Sequence, residues 1–263
     1  AALVSSKKKL SYTYSVEKVN GEVTEYTDPY AFANVTKPED YKAFLAGEEK
    51  NAAHIFGAHE RTVNGVKGVL FNVWAPKALS VSVVGEFNKY DGRVHLMERI
   101  EDTGVFELFI PGLAAGCGYM YEIKRQGKGT TRKLDPVSRQ ISSVPIIASV
   151  VSDENMPDSY AWNDGLWMIK RKKEAGKKKP VTVYEVSLTD WLKEKSADEL
   201  VDFVKQEGYT HVCFLPVAEY LNEEMNGYST LGYFAVTHRI GGSDAFKKLV
   251  DDCHNAGIGV IID

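Results

Sequence analysis

VTVYEVSLTDWLKEKSADELVDFVKQEGYTHVCFLPVAEYLNEEMNGYSTLGYFAVTHRIGGSDAFKKLVDDCHNAGIGVIID, residues 181–263, is the stretch that decides the fold. Its apolar runs VTVYEVSL (181–188), HVCFLPV (211–217) and GVIID (259–263) are rich in β-branched residues and too short for helices, so they read as buried strands. Between the first two, Ser196 and Glu199 form a capping box, and Ala197, Leu200, Val201 and Val204 share one helical face. Gly208 supplies the left-handed stop. Before the third strand, Ser243 is the expected N-cap, Phe246, Leu249, Val250 and Cys253 make the apolar stripe, and Gly257 ends the helix. Strand and helix alternating with short connections predict a parallel βαβαβ sheet with right-handed crossovers. The strand that runs to Asp263 is expected to present an apolar edge in need of a neighbour.

Upstream, the basic runs RKK (171–173) and KKK (177–179) read as a solvated tether between modules rather than a nucleic-acid patch. The chain as a whole has 263 residues, a net charge of −4, 44% hydrophobic and 26% charged residues, enough for about two domains. Its mild acidity argues against nucleic acid as a partner, since such binders concentrate basic charge. Cys117, Cys213 and Cys253 show no paired spacing and are expected as reduced, packed thiols of a cytoplasmic protein. No run approaches the roughly 18 apolar residues of a membrane span, and no leader is recognisable, so no membrane association is expected. His211 and His254 lack metal-ligand spacing and read as structural or surface histidines; no metal is expected. An initial Ala rather than Met suggests a piece of a longer polypeptide.

The region from His54 to about Val151 carries a β signal throughout. Alternating runs VLFNVWAP (69–76), LSVSVVGEF (79–87), VFELFIPG (105–112) and YMYEIKR (119–125), separated by Gly, Asn and Asp turns, predict a small antiparallel sandwich hiding Leu70, Val81, Val83, Phe106 and Tyr121. The turn GEFNKYDG (85–92) presents Phe87 and Tyr90 beside Asn88 and Asp91, which suits a sugar whose C–H face stacks on a ring; equally, Tyr90 packs a loop. YTYSVEKVNGEVTEYTDP (12–29) aligns without a gap on YMYEIKRQGKGTTRKLDP (119–136), an offset of 107 residues. Tyr12, Tyr14, Val16 and Asp28 fall on Tyr119, Tyr121, Ile123 and Asp135, so the N-terminal segment reads as a partial second copy of one β-module. Residues 34–53 look like a helical connector.

FGAH (56–59), FNVWAP (71–76), VSVVGEFNKYDG (81–92), GVFELFIPG (104–112), YEVSLTDW (184–191), FLPVAEY (214–220), GYSTLGYFAVTHRIGG (227–242) and AGIGVIID (256–263) come in the order and spacing of bacterial glycogen branching enzymes, which the chain resembles throughout. The connector YAWNDGLWMIKRKK (160–173) resembles theirs too. The resemblance implies a multidomain chain: a partial β repeat with connector (1–53), an immunoglobulin-like β-sandwich carbohydrate-binding module of family forty-eight (54–152), a linker (153–180), and the first three β/α units of an incomplete TIM barrel (181–263). A complete barrel takes about 250 residues.

The implied chemistry is retaining transglycosylation on an α-glucan: a carboxylate attacks an α-1,4 linkage, a carboxylic acid about 5–5.5 Å away protonates the leaving oxygen, and the 6-hydroxyl of another glucan accepts the chain. It implies no cofactor. The family's catalytic carboxylates follow later barrel strands, so no catalytic residue is expected here and this chain alone should be inactive. Sites in barrels lie at the carboxyl ends of strands. Tyr228 matches the tyrosine that stacks on the sugar at the cleavage subsite, Asp263 the aspartate opening the first conserved segment; Trp191, Glu219 and Tyr220 would share that face, and Tyr90 would contact glucan on the sandwich. Tyr233 reads as structural.

The chain departs from the family pattern at Ser187 (usually His), Asn226 (Trp), and Ser229, Thr230 and Leu231 (Gln-Pro-Thr). In the sandwich Tyr90 stands for Trp, while Glu122 and Thr131 stand where related modules carry Lys and Trp. The alternatives are a non-catalytic glucan-binding or structural protein, and part of a debranching enzyme or trehalohydrolase. The resemblance also implies a monomeric parent.

Overall fold

The computed structural model describes residues 12–32, 35–50, 52–142, 146–152 and 160–263. Two compact units result: 1–138 with 144–154, and 139–143 with 155–263. The start of the expected linker, 153–159, lies outside the described residues.

The first unit holds β1 (Thr13–Glu17), β2 (Val23–Thr27), α1 (Lys42–Leu45), β3 (Gly57–Val63), β4 (Val66–Trp74), β5 (Ser80–Gly85), β6 (Glu98–Ile100), β7 (Val105–Pro111), β8 (Gly118–Arg125) and β9 (Gly129–Lys133). β10 (Ile141–Ser142) lies in the second unit, and β11 (Ala148–Val150) returns to the first. One antiparallel sheet runs β3-β4-β7-β6; in the other β8 pairs with β5 on one edge and with β9 and β11 on the other. Strand alternation decides which residues meet between them. Val69, Phe71 and Val73 of β4 point inward to Val81, Val83, Phe106, Tyr119 and Tyr121. Leu70, expected in that core, points the other way and packs under Phe32 with Phe109 on the outer face. The segment expected as a helical connector has one helical turn, α1, flanked by 3-10 turns at Pro38–Tyr41 and Ala52–His54. It lies against that outer face, where the buried Glu107 accepts the Val35 amide at 2.9 Å. Burial pushes the Glu107 carboxyl above its ordinary value.

The internal repeat is present in three dimensions. Tyr14 pairs with Tyr26 across β1 and β2, and Tyr121 with Lys133 across β8 and β9, the same register at the same offset. Tyr12 donates its hydroxyl to Asp28, as Tyr119 donates to Asp135 at 2.5 Å. Only the second copy buries its tyrosines: Tyr119 and Tyr121 are fully enclosed, whereas Tyr12, Tyr14 and Tyr26 are exposed.

In the second unit β12 (Val183–Val186), β13 (His211–Phe214) and β16 (Gly259–Ile262) form the expected parallel sheet, order β12-β13-β16. Helices α2 (Gly165–Glu174), α3 (Leu188–Trp191), α4 (Ala197–Gln206) and α5 (Gly242–Asn255) accompany them. Ser196 caps α4 through the predicted reciprocal box with Glu199. Leu200 and Val204 of α4 and Phe246, Leu249 and Cys253 of α5 pack on Val212 and Phe214.

Other expectations are corrected. α5 starts one residue before Ser243, with left-handed Gly241 as its N-cap, because the 3-10 turn His238–Ile240 leads straight into the helix. The long loop after the second strand is largely an antiparallel hairpin of β14 (Ala218–Tyr220) and β15 (Thr230–Val236). Tyr233 on it is not packed; it is 83% exposed. The RKK run is helical rather than a free tether: it lies in α2, whose Trp167 stacks flat on His254 of α5 at 3.7 Å. Asp164, before α2, holds the same histidine ring at 2.7 Å. Of the predicted buried strands, β12 has Val183 exposed and β16 has Ile261 and Ile262 exposed.

Candidate functional site

The sheet register sets the site. Val186, Phe214 and Ile262 lie side by side at the carboxyl ends of β12, β13 and β16, so the residues that follow, Ser187, Leu215 and Asp263, leave the sheet at one level. Asp263 donates its amide to Phe214 O at 3.0 Å, which fixes where its carboxylate begins. The turn bringing Tyr228 to it depends on Gly227: with φ +88°, a Cβ there would stand 2.8 Å from the Pro216 carbonyl. The Tyr228 hydroxyl then donates to Asp263 Oδ2. That bond, with the carboxylate's charge, raises the phenol above its ordinary value, because ionising it would set two anions together. Tyr228 is 54% exposed.

The structure brings Tyr228 and Asp263 together; it does not bring Trp191 to them. The Trp191 indole N–H donates to Ser196 O at 2.9 Å, and its ring packs at 5.7 Å from Phe203 with Lys195 4.6 Å above it. Ser187 is spent on local structure, accepting the Asp190 amide as the cap of α3. Glu219, expected on the open face, is buried. It accepts from Thr237 Oγ1 at 3.2 Å, from the His238 amide and ring at 3.1 and 2.9 Å, and from Arg239 Nη1 at 2.5 Å. Burial would raise this carboxyl, but the His238 bonds and the His238 and Arg239 charges outweigh it and hold it below the ordinary value. Arg239 also lies 4.3 Å over the Tyr220 ring, tying the base of the hairpin to the strand end. Sequence reasoning assigned nothing to Thr237, His238 or Arg239. Their signal was a histidine and an arginine closing an apolar run, and the hairpin that returns them to Glu219 has no local signature.

On the sandwich, Asn88 builds the turn that displays Tyr90. It is buried, accepts from Gly85 N at 3.0 Å and donates to Val83 O at 2.9 Å, while Phe87 packs on the core. Lys89 and Tyr90 then take left-handed φ values of 54° and 58°, reversing the chain. Arg132 donates to the Tyr90 carbonyl at 2.8 Å, lies 5.8 Å from its ring centroid, and pairs with Glu122 at 3.1 Å. Glu122 is cross-strand from Arg132, and Ile123 from Thr131, so Thr131 faces away from Tyr90. The half-buried Asp91 is drawn down to about 2 by its hydrogen bonds from Arg93.

Residues 55–138 of the first unit match the family model of carbohydrate-binding module 48 (Isoamylase N-terminal domain). The chain is similar in sequence to the amino-terminal third of bacterial 1,4-alpha-glucan branching enzymes. It is 41% identical over 253 residues to GlgB of Methylococcus capsulatus, covering 92% of this chain and 34% of that protein. With GlgB of Gloeobacter violaceus it shares 40% over 266 residues, 96% of this chain and 36% of that one. The chain thus spans about a third of the length of these relatives. In fold it resembles a Salmonella typhimurium protein assigned as an alpha amylase (TM-score 0.55, 24% identity, 79% of this chain, 32% of that one). It likewise resembles the catalytic module of the glycogen-degrading pneumococcal virulence factor SpuA (TM-score 0.55, 21% identity, 79% of this chain, 36% of that one). Among the described residues no helix is long and apolar enough to cross a membrane.

Proposed function

We propose that the chain is the amino-terminal part of a 1,4-α-glucan branching enzyme, in which an immunoglobulin-like sandwich docks the polysaccharide and β12, β13 and β16 begin a (β/α)8 barrel. The observation that carries this reading is the 41% identity over 92% of the chain to a branching enzyme. Tyr90 is the glucan contact on the sandwich. Tyr228 offers its ring to a glucosyl unit, and Asp263, holding the Tyr228 hydroxyl, fixes that ring and turns its second oxygen to sugar hydroxyls. Trp191 acts through packing at the same end of the sheet. Bond cleavage and transfer belong to carboxylates outside these residues, so this part binds and orients.

Two measurements on the 263-residue chain test the reading. The iodine–amylose absorbance should stay constant in its presence, while migration through glycogen-containing gels should be retarded. Tyr90→Ala should weaken the retardation about 5-fold, the ~1 kcal/mol of an aromatic platform. A falling absorbance would contradict the division of labour. Unretarded migration, untouched by Tyr90→Ala, would remove the sandwich from glucan binding.

A further inference from the structure

The sandwich has a second aromatic surface that the Tyr90 turn does not use. Trp74 closes β4 and is 47% exposed, yet it is held in place. The Phe44 ring meets it edge-on at 5.3 Å and 77°. The chain turns behind it where Ala75 N donates to Gly104 O at 2.9 Å. Gly104, at φ +77°, leaves the indole its room: a Cβ there would stand 3.3 Å from Trp74 Nε1 and 2.8 Å from Pro76 Cβ. The indole borders a groove of about 270 Å³ that Ile123, Thr131, Lys77, Arg125 and Lys133 also line, and no acidic residue does. Among the described residues those three cations form no ion pair, although the chain carries a net charge of −4 and pairs Arg93 and Arg132 elsewhere on this unit. Clustered cations left unpaired repel one another, and an anion among them removes that cost.

We propose that this groove binds a phosphorylated glucosyl unit. The C–H face of the pyranose lies on Trp74, the phosphate sits among Lys77, Arg125 and Lys133, and the Thr131 hydroxyl supplies a further donor. A guanidinium recognises a phosphate through paired N–H donors, and an indole face takes an apolar sugar face. The sugar half of the proposal rests on the carbohydrate reading above; the phosphate half rests on the cations alone. Thr131 and Arg132 alternate along β9, so the groove and the Tyr90 turn use opposite faces of that strand.

The test follows the indole N–H resonance of Trp74, assigned with Trp74→Phe, in the full chain during titration with glucose 6-phosphate, maltose, inorganic phosphate and potassium chloride. Glucose 6-phosphate should move that signal saturably. The folded double variant Arg125→Gln/Lys133→Gln, checked by its unchanged remaining spectrum, should bind about 10-fold more weakly. An absent response, or an equal one to maltose, to inorganic phosphate or to chloride at matched ionic strength, overturns the proposal. Gels containing phosphorylated amylopectin, before and after phosphatase treatment, separate the sources: stronger retardation by the phosphorylated polymer assigns a glucan-borne ester, and equal retardation assigns the soluble one. Tyr90→Ala should leave the Trp74 titration unchanged. Loss of glycogen retardation with the Trp74 response intact would therefore fault the glucan-docking reading alone, and the reverse would fault the groove alone.

Discussion

Replacing Glu219 with leucine is expected to destabilise the α/β unit by about 3 kcal/mol while leaving the sandwich transition in place. The carboxylate is 2% exposed and is the shared acceptor of Thr237, His238 and Arg239. Removing it leaves Arg239, whose side chain is only 18% exposed, with the single exposed carboxylate of Glu223 at 3.4 Å, and uncouples β15 from the end of β14. Glu219→Gln keeps an acceptor but loses the charge, so it should cost less. The pH dependence has a definite sign. A carboxyl held below its ordinary value in the fold stabilises fully above the unfolded value, near 4.5, and that stability is lost as pH falls through the folded value. The wild-type melting temperature of this unit should therefore drop more steeply below about pH 4.5 than that of Glu219→Gln. Hydrogen exchange at β13 and β15 reads the effect; equal protection in wild type and Glu219→Leu would show that the network carries no stability.

Phe71→Ala should be costlier still for the other unit, about 3–5 kcal/mol. Its ring is fully enclosed between the sheets and meets Tyr119 edge-to-face at 5.0 Å and 70°. Tyr119 and Tyr121 both donate to Asp135, whose carboxyl burial holds above its ordinary value. A cavity at Phe71 should loosen the tyrosine pair and let water reach Asp135, so glycogen retardation should vanish near the lowered melting temperature. A urea unfolding free energy for the sandwich within about 1 kcal/mol of wild type would mean the core closes over the gap.

The two architectures were legible in the sequence because period-2 and period-3.6 patterns are local. β4, β7 and β8 lie within a few residues of their predicted runs, and the Ser196–Glu199 box stands as read. Leu70 was assigned to the wrong face because both faces of β4 are covered, so the strand reads apolar throughout and its phase is hidden. The expected cap at Ser243 failed for a related reason: Gly241 gives the backbone another way into α5. Of the candidate site, Tyr228 and Asp263 come from the resemblance, and the sheet register supplies the reason they meet. The role of Glu219 was invisible because its partners return only through the β14–β15 hairpin, an arrangement set by tertiary pairing rather than by spacing.

The repeated hairpin bears on the order in which the chain acquires structure. One copy packs its tyrosines in a core and the other leaves them in solvent, yet both keep one register and one tyrosine–aspartate clasp. The geometry is therefore written in the hairpin's own residues and does not wait for the opposite sheet. Contacts so close in sequence cost little loop entropy, and hairpins close in about 1–10 μs. The β8–β9 hairpin is thus an early template on which β5 docks from upstream, with Gly85 opposite Tyr119 and Val83 opposite Tyr121. Substitutions at Tyr121 should slow refolding, whereas those along β3 should mainly hasten unfolding.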